Sequence, residues 1–360
     1  MNIVTIVLIY FYLFLFHCIF YVTNIFLKKK IDKLYCILSF LLLVFFIGLR
    51  DKIGGDWNSF LYTYEYSQNY KLVEYLKISQ KNILYSLIEW FSSYNNLSIF
   101  FINTICASIF TYGLISFCSY QYNIYIGMIV ATPYLINVVS MGYTKQSVAI
   151  GLILLILRKK NLLIKDFLFY FLALSFHFTS VFIVVTRFFN TKLNNRYILY
   201  FILIILILFI FSYNKIYHYY IVYFLDKLDP NKVNLYISNG VYYRSVLNAI
   251  PALIFIYNYR KFRNIVYCRF WLILSFIAII IAILTFIFPI FSTPLDRLGL
   301  YLIPIQILVF ANIIYIFVNS KNIIIINLFI IVIYFLYQLA WLNFAINKNA
   351  WVPYNNFFFN

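Results

Sequence analysis

DFLFYFLALSFHFTSVFIVVTRFF, residues 166–189, is the stretch on which the topology turns. It is almost wholly apolar and reads either as one long membrane span or as two short helices folded about His177. Charge placement separates the two. With a hairpin, the Lys and Arg clusters at 28–33, 158–165, 187–196 and 260–269 fall on one side together with Lys321, 16 of the 28 basic residues. Only Asp32 and Asp166 join them, so that side carries +14 and the other, with eight of the ten acids, +4. With a single span the basic residues divide 14 against 14, and the short YRKFRN loop at 259–264 changes sides. Cytoplasmic loops carry the Lys/Arg excess in membrane proteins. The hairpin is therefore expected.

Outward from that stretch, the chain of 360 residues is 65% apolar and 11% charged, far from the balance of a water-soluble domain. The formal charge of +18 comes from short clusters between apolar runs, not from a basic stripe, and so speaks against a nucleic-acid partner. About 20 residues of helix cross a ~30 Å hydrocarbon core. Spans are expected near 2–27, 34–49, 97–119, 124–140, 144–157, 166–176, 178–189, 197–212, 245–258, 270–288, 298–318 and 323–344. The fifth reaches only ~21 Å at ~1.5 Å per residue.

The first run has no basic stretch before it and is followed by Lys28, Lys29, Lys30 and Lys33, so it reads as a true span with its N-terminus outside, not as a cleaved signal peptide. The expectation is an all-α, polytopic integral membrane protein. It has one domain over 1–360 and about 12 transmembrane or half-membrane helices. Outer loops fall at 50–96 and 213–244, with an outer tail from about 345, and the cavity faces the outer side. The five cysteines lie in spans or on the cytoplasmic side, where no disulfide is expected. In the first outer loop, apolar residues at 72–76 and 83–91 recur at helical spacing. They suit amphipathic helices on the outer leaflet or a small packing layer.

Charge in such a chain is costly and marks candidate sites. GLRDKIGGDWNSF, 48–60, is its densest outer segment. Gly54 and Gly55 permit a turn that returns Asp56 toward Arg50. This makes a carboxylate beside an anion-binding guanidinium, or else a snorkelling helix-end Arg and a turn Asp. Lys145 and Gln146 open the short fifth span, where helix N–H groups and a cation suit an anion; the alternative is an interfacial Lys.

His177, at the apex of the hairpin, suits proton transfer near neutrality or a structural hydrogen bond. Asp296 and Arg297 start the eleventh span. They are an N-terminal acid with its ion-pair neighbour, or Arg297 clamps a phosphate with its planar fork. Arg244 is a further candidate for that clamp. No metal-ligand spacing and no nucleotide-binding glycine pattern occurs; Asp56 with Glu65 is the only acid pair worth weighing for a divalent ion.

The order of these landmarks resembles the EpsG-like branch of the Wzy-type polysaccharide polymerases. A span ends in Gly-Leu-Arg (Arg50), and Gly54, Gly55, Asp56 and Tyr62 follow. Lys145, Gln146 and Ala149 open a span; Ala173, His177 and Ser180 match a later element; Asp296, Arg297 and Tyr301 come late, and WVPY at 351–354 closes the tail. Lys145 stands where many relatives carry Arg.

The resemblance implies an inner-membrane glycosyltransferase without metal or other cofactor, with its active site facing the periplasm. It would join polyprenyl-diphosphate-linked oligosaccharide units of O antigen, capsule or exopolysaccharide. Asp56 or His177 would take the acceptor proton, and Arg50, Lys145, Gln146, Arg244 and Arg297 would hold the diphosphate or substrate. Membrane lipid and a chain-length regulator are the implied partners. A lipid-linked-oligosaccharide flippase and an O-antigen ligase are the alternatives, though the visible charges cluster at the outer interface instead of mid-bilayer.

Overall fold

The computed structural model describes residues 3–27, 31–79, 82–158, 163–188, 240–317 and 320–359, with Tyr217, Ile221 and Ser238 in addition. Among the described residues the secondary structure is helical, apart from one isolated β-bridge. In chain order the helices are α1 (Ile3–Leu27), α2 (Asp32–Gly48), α3 (Trp57–Ser67), α4 (Leu72–Ser79), α5 (Ile83–Tyr94) and α6 (Ile99–Ser119). Then come α7 (Ile124–Gly142), α8 (Thr144–Leu157), α9 (Leu163–Phe176), α10 (Val181–Phe188), α11 (Val241–Tyr257) and α12 (Cys268–Ile287). The last two are α13 (Pro289–Ala311), broken by a short 3-10 turn at Leu300–Leu302, and α14 (Ser320–Phe344).

Six of these are long and apolar enough to cross a membrane: in α1, α6, α7, α12, α13 and α14. About twelve transmembrane or half-membrane helices are expected; among the described residues six have full spanning length, and the rest of the apolar helices are shorter. The shorter ones differ in burial: α2, α9 and α11 expose apolar residues such as Leu41, Leu168 and Leu253, whereas α8 is held inside the bundle. Every residue of it except Lys145 is buried, so its ~21 Å need not match a bilayer. The crossing of α6 and α8 is very close. A Cβ on Gly113 would lie 2.1 Å from the Gly151 carbonyl oxygen, and one on Gly151 would lie 2.7 Å from the Phe110 Cα. Small residues at such crossings let helix backbones touch inside membranes. Beside this pair, α7 is buried along its whole apolar length. Pro133 cannot donate to the helical ladder, and the chain passes there into a π-helical stretch, Thr132–Val139. α1 and α14 lie toward the periphery, with only a minority of their apolar residues fully buried.

The hairpin expected at 166–189 is present. α9 ends at Phe176, His177 is extended, and a 3-10 turn at Phe178–Ser180 leads into α10. Tyr170 and Leu174 of α9 and Val184 of α10 share one buried cluster with Ile156 from the far end of α8, so both arms run back along the same neighbour. The expected start of the eleventh span at 298 is corrected to Pro289, because the prolines at 289 and 294 sit in the opening turns of a helix, where a missing N–H costs nothing. The span expected at 197–212 and most of the loop at 213–244 lie outside the described residues.

The segment 50–96 forms a layer of three short helices, α3 to α5, against one end of the bundle. α4 and α5 were expected; α3 was not, since its alternating Tyr and polar residues give no clear apolar period. α5 is packed inside out. Its buried residues are Tyr85, Ser86, Glu89, Ser92 and Ser93, whereas Ile83 and Phe91 are exposed. The tail returns to this end and laces the segment before α3. Asp51 N–H donates to the Asn355 carbonyl (3.0 Å), Gly54 N–H to Ala350 (2.7 Å), and Phe357 N–H to Leu49 (2.9 Å).

Candidate functional site

Between the α3–α5 layer and the bundle lies an open cavity of about 520 Å³, within the size range of ligand sites. Its wall includes Asp56, Lys145, Gln146, His177 and Arg297, five of the seven residues singled out from sequence. They come from four remote segments: the α2–α3 connection, the start of α8, the α9–α10 apex and the first turns of α13.

Asp56 reaches the wall because the chain turns sharply before it. Gly54 has φ +105°, a conformation that disfavours any side chain, and a Cβ there would lie 2.5 Å from the Met141 carbonyl oxygen. The carboxylate then flanks the start of α3. Burial pushes its pKa up from the ordinary carboxylate value, and the positive charges of Arg297 and Lys145 pull it part of the way back. Acid and cations therefore feel one another across the cavity.

Lys145 projects from the first turn of α8 between two rings of the α3–α5 layer. Its Nζ lies 4.2 Å from the centroid of Tyr85 and 5.1 Å from that of Phe60, cation–π distances. Behind Tyr85, one helical turn on, sits Glu89, 2% exposed. It accepts hydrogen bonds from Thr63 Oγ1 (2.6 Å) and Tyr75 Oη (2.5 Å), which joins α3, α4 and α5. Burial raises the Glu89 pKa, and the Lys145 charge lowers it. The sequence reading missed Glu89. Its one signal was an acid four residues after Tyr85 in an otherwise neutral helix, and the apolar period of α5 drew attention to the opposite face.

Arg297 stacks its guanidinium on Tyr143, 4.4 Å from the ring centroid. Gln146 donates its side-chain amide to the Arg297 carbonyl (2.8 Å), so the start of α8 fixes the turn of α13 that bears the arginine. His177 turns its Nδ1 toward Thr179 Oγ1 (2.7 Å) and Tyr301 Oη (3.2 Å). These contacts set the plane of the imidazole at the cavity wall.

Arg50 and Arg244 lie off the cavity lining. Arg50 is completely buried. It donates to the Ile47 carbonyl (2.5 Å), Thr144 Oγ1 (2.8 Å) and Asn103 Oδ1 (3.3 Å), tying α2 to α6 and to the start of α8. The return of Asp56 to the side of Arg50, expected from the glycines, brings the acid instead to Lys145 and Arg297. Arg244 forms a two-pronged pair with Asp296, at 2.7 Å and 2.6 Å, and faces the ring of Tyr134 at 5.2 Å. This pair borders a second, much smaller cavity of about 20 Å³. Asp296 is the immediate neighbour of Arg297, so the pair anchors α13 from behind. Among the described residues no group of three or more His, Cys, Asp or Glu is placed to hold a metal ion.

These features define a multi-pass helical membrane protein with a polar cavity at one end, walled by an acid, an imidazole and two cations. The chain belongs to the EpsG family, whose model matches residues 33–356. That match spans every cavity residue named above. No curated protein and no solved structure matches the chain. Family membership makes it a membrane glycosyltransferase-like polymerase in general terms.

Proposed function

We propose that this chain is a polysaccharide polymerase that joins polyprenyl-diphosphate-linked oligosaccharide units in the large cavity. The observation that carries the reading is the convergence of Asp56, His177, Lys145 and Arg297 on one space. Glycosyl transfer from a lipid diphosphate needs a group to take the acceptor proton and positive charge to meet the departing diphosphate. The acceptor hydroxyl oxygen attacks the anomeric carbon of the donor while the bond from that carbon to the diphosphate oxygen breaks. The hydroxyl proton passes to the Asp56 carboxylate, and the negative charge gained by the diphosphate is met by Lys145 and Arg297. His177, held by Thr179 and Tyr301, faces the same space as a second proton-transfer group.

Gln146 acts through Arg297, whose turn it holds. Arg50 and Arg244 are positioning residues, one for the start of α8 and the other for α13. The bond energy of the lipid diphosphate drives the transfer, with no nucleotide, metal or other cofactor. The single membrane domain sits in the bacterial inner membrane with the cavity toward the periplasm, in keeping with the Lys/Arg clusters assigned to the opposite side. A chain-length regulator is the partner that such an enzyme would meet there.

The test is elongation by purified protein in nanodiscs, supplied only with a lipid-diphosphate-linked repeat unit. The expected product is a ladder of lengthened lipid-linked chains. Movement of the unit across the bilayer without lengthening would replace the reading with a flippase. Transfer only onto lipid A-core would make the protein a ligase.

A further inference from the structure

The outer layer carries a second feature that the cavity chemistry does not use. Along α3, Ser59, Tyr62 and Tyr66 recur at i, i+3 and i+7 and so share one helix face. Ser59 lies in the cavity wall. Tyr62 is 66% exposed, and its ring stacks on Tyr66 at 6.0 Å with an interplanar angle of 19°. Tyr66 meets Tyr70 at 4.9 Å, and their hydroxyls lie 2.8 Å apart. The Tyr70 carbonyl accepts from the Trp90 indole N–H (2.9 Å), and Trp90 stacks on Tyr94 at 4.8 Å and 20°, with Tyr94 69% exposed. A row of aromatic rings thus leaves the cavity lip and crosses from α3 to α5.

We infer that this row is a glycan-binding track, along which the saccharide chain is held on its way into or out of the cavity. The inference rests on the polymerase reading for the identity of the ligand. Its chemistry is independent of that reading. Aromatic rings offer apolar faces with a polar edge at low conformational cost, which suits the C–H faces of sugar rings.

The residues beside the row fit sugar hydroxyls. Asn58, Glu65, Gln68 and Asn69 are exposed, and α3 contains no Lys or Arg. A helix lying on lipid has the opposite make-up, with Lys/Arg on its polar face and Leu or Phe on the other. The neighbouring α4 comes closer to that make-up, with Val73, Lys77 and Ile78 exposed. The track is therefore assigned to glycan and not to lipid headgroups.

Two measurements on the full-length protein in nanodiscs test it. The first is the elongation ladder for Tyr62→Ala/Tyr66→Ala against Tyr62→Phe/Tyr66→Phe. The alanine pair should still form the first linkage but give chains markedly shorter than wild type, while the phenylalanine pair keeps the rings and the long chains. The second is saturation-transfer NMR with lipid-free oligosaccharides of several repeat units, released by mild acid from the cell's own polymer. Binding should weaken about fivefold in the alanine pair, and the glycan should protect Tyr62 and Tyr66 from water-soluble iodination. An unchanged ladder with unchanged glycan affinity overturns the track and leaves the polymerase reading intact. Tyrosines already shielded in nanodiscs without glycan overturn it in favour of lipid. If wild type makes no polymer, the polymerase reading fails, and glycan binding alone then decides the track: binding lost in the alanine pair upholds it, and absence of binding ends it.

Discussion

α8 and α5 meet at Lys145 and follow opposite rules of burial. α8 buries everything but that lysine, and what it buries is mostly aliphatic, closely packed through Gly113 and Gly151. α5 buries a tyrosine, three serines and a glutamate and leaves Ile83 and Phe91 outside. The first is scaffold, specified by close packing. The second turns its polar side inward onto α3 and α4, where Glu89 accepts from Thr63 and Tyr75 and Ser93 accepts from Ser67. An apolar period in a membrane protein therefore does not say which face of a helix looks at the core.

The difference can be broken from either side. The largest effect is expected at Asp56. Asp56→Asn should leave the protein folded in the membrane and lower the rate of chain elongation by about 10²–10⁴-fold, read from the product ladder. On the scaffold side, Arg244→Met strands the buried Asp296 carboxylate and should cost about 3–5 kcal/mol of stability, measured as a lower thermal midpoint in detergent. The double change Arg244→Met/Asp296→Leu should recover much of it. If Arg244→Met instead left stability unchanged and removed only activity, Arg244 would belong to the site. On the proposed mechanism Arg297→Gln removes charge that meets the departing diphosphate, and it should slow elongation by about 10²-fold with little change in thermal midpoint. Arg297→Lys should fall short of wild type, because an ammonium lacks the planar fork that stacks on Tyr143.

The smallest effect is a shift in pH dependence. A base works deprotonated, so activity falls as pH drops through its pKa. Burial holds the Asp56 carboxyl above the ordinary value, so the acid limb of kcat/KM should lie above that of a free carboxylate. Arg297 and Lys145 restrain that rise, and in Arg297→Gln the limb should move further up in pH. A limb that stays put in Arg297→Gln and moves in His177→Asn would transfer the proton-accepting role to His177.

Much of this was legible in the sequence. Apolar runs of ~20 residues announce helices in lipid, and the sparse charged and polar residues pointed to five members of one cavity wall. The break at His177 was readable because only a hairpin gathers the basic loops on one side. What was hidden is lateral. Arg50, Arg244 and Arg297 all sit at helix ends in the sequence, and nothing local says that the first is enclosed by Asn103 and Thr144, the second paired with Asp296, and the third turned to the cavity. α3 was hidden because its inward residues, Trp57, Phe60 and Ser67, are mixed with exposed tyrosines of similar hydropathy. Glu89 was hidden by the inverted burial of α5.

The most direct measurement is single-turnover elongation by wild type and Asp56→Asn, side by side in nanodiscs with a lipid-diphosphate-linked repeat unit and no nucleotide. Lengthened chains from wild type, and substrate that binds but stays unextended with Asp56→Asn, are the expected result. Equal chain lengths from both proteins would contradict the assignment of Asp56 as the group that receives the acceptor proton.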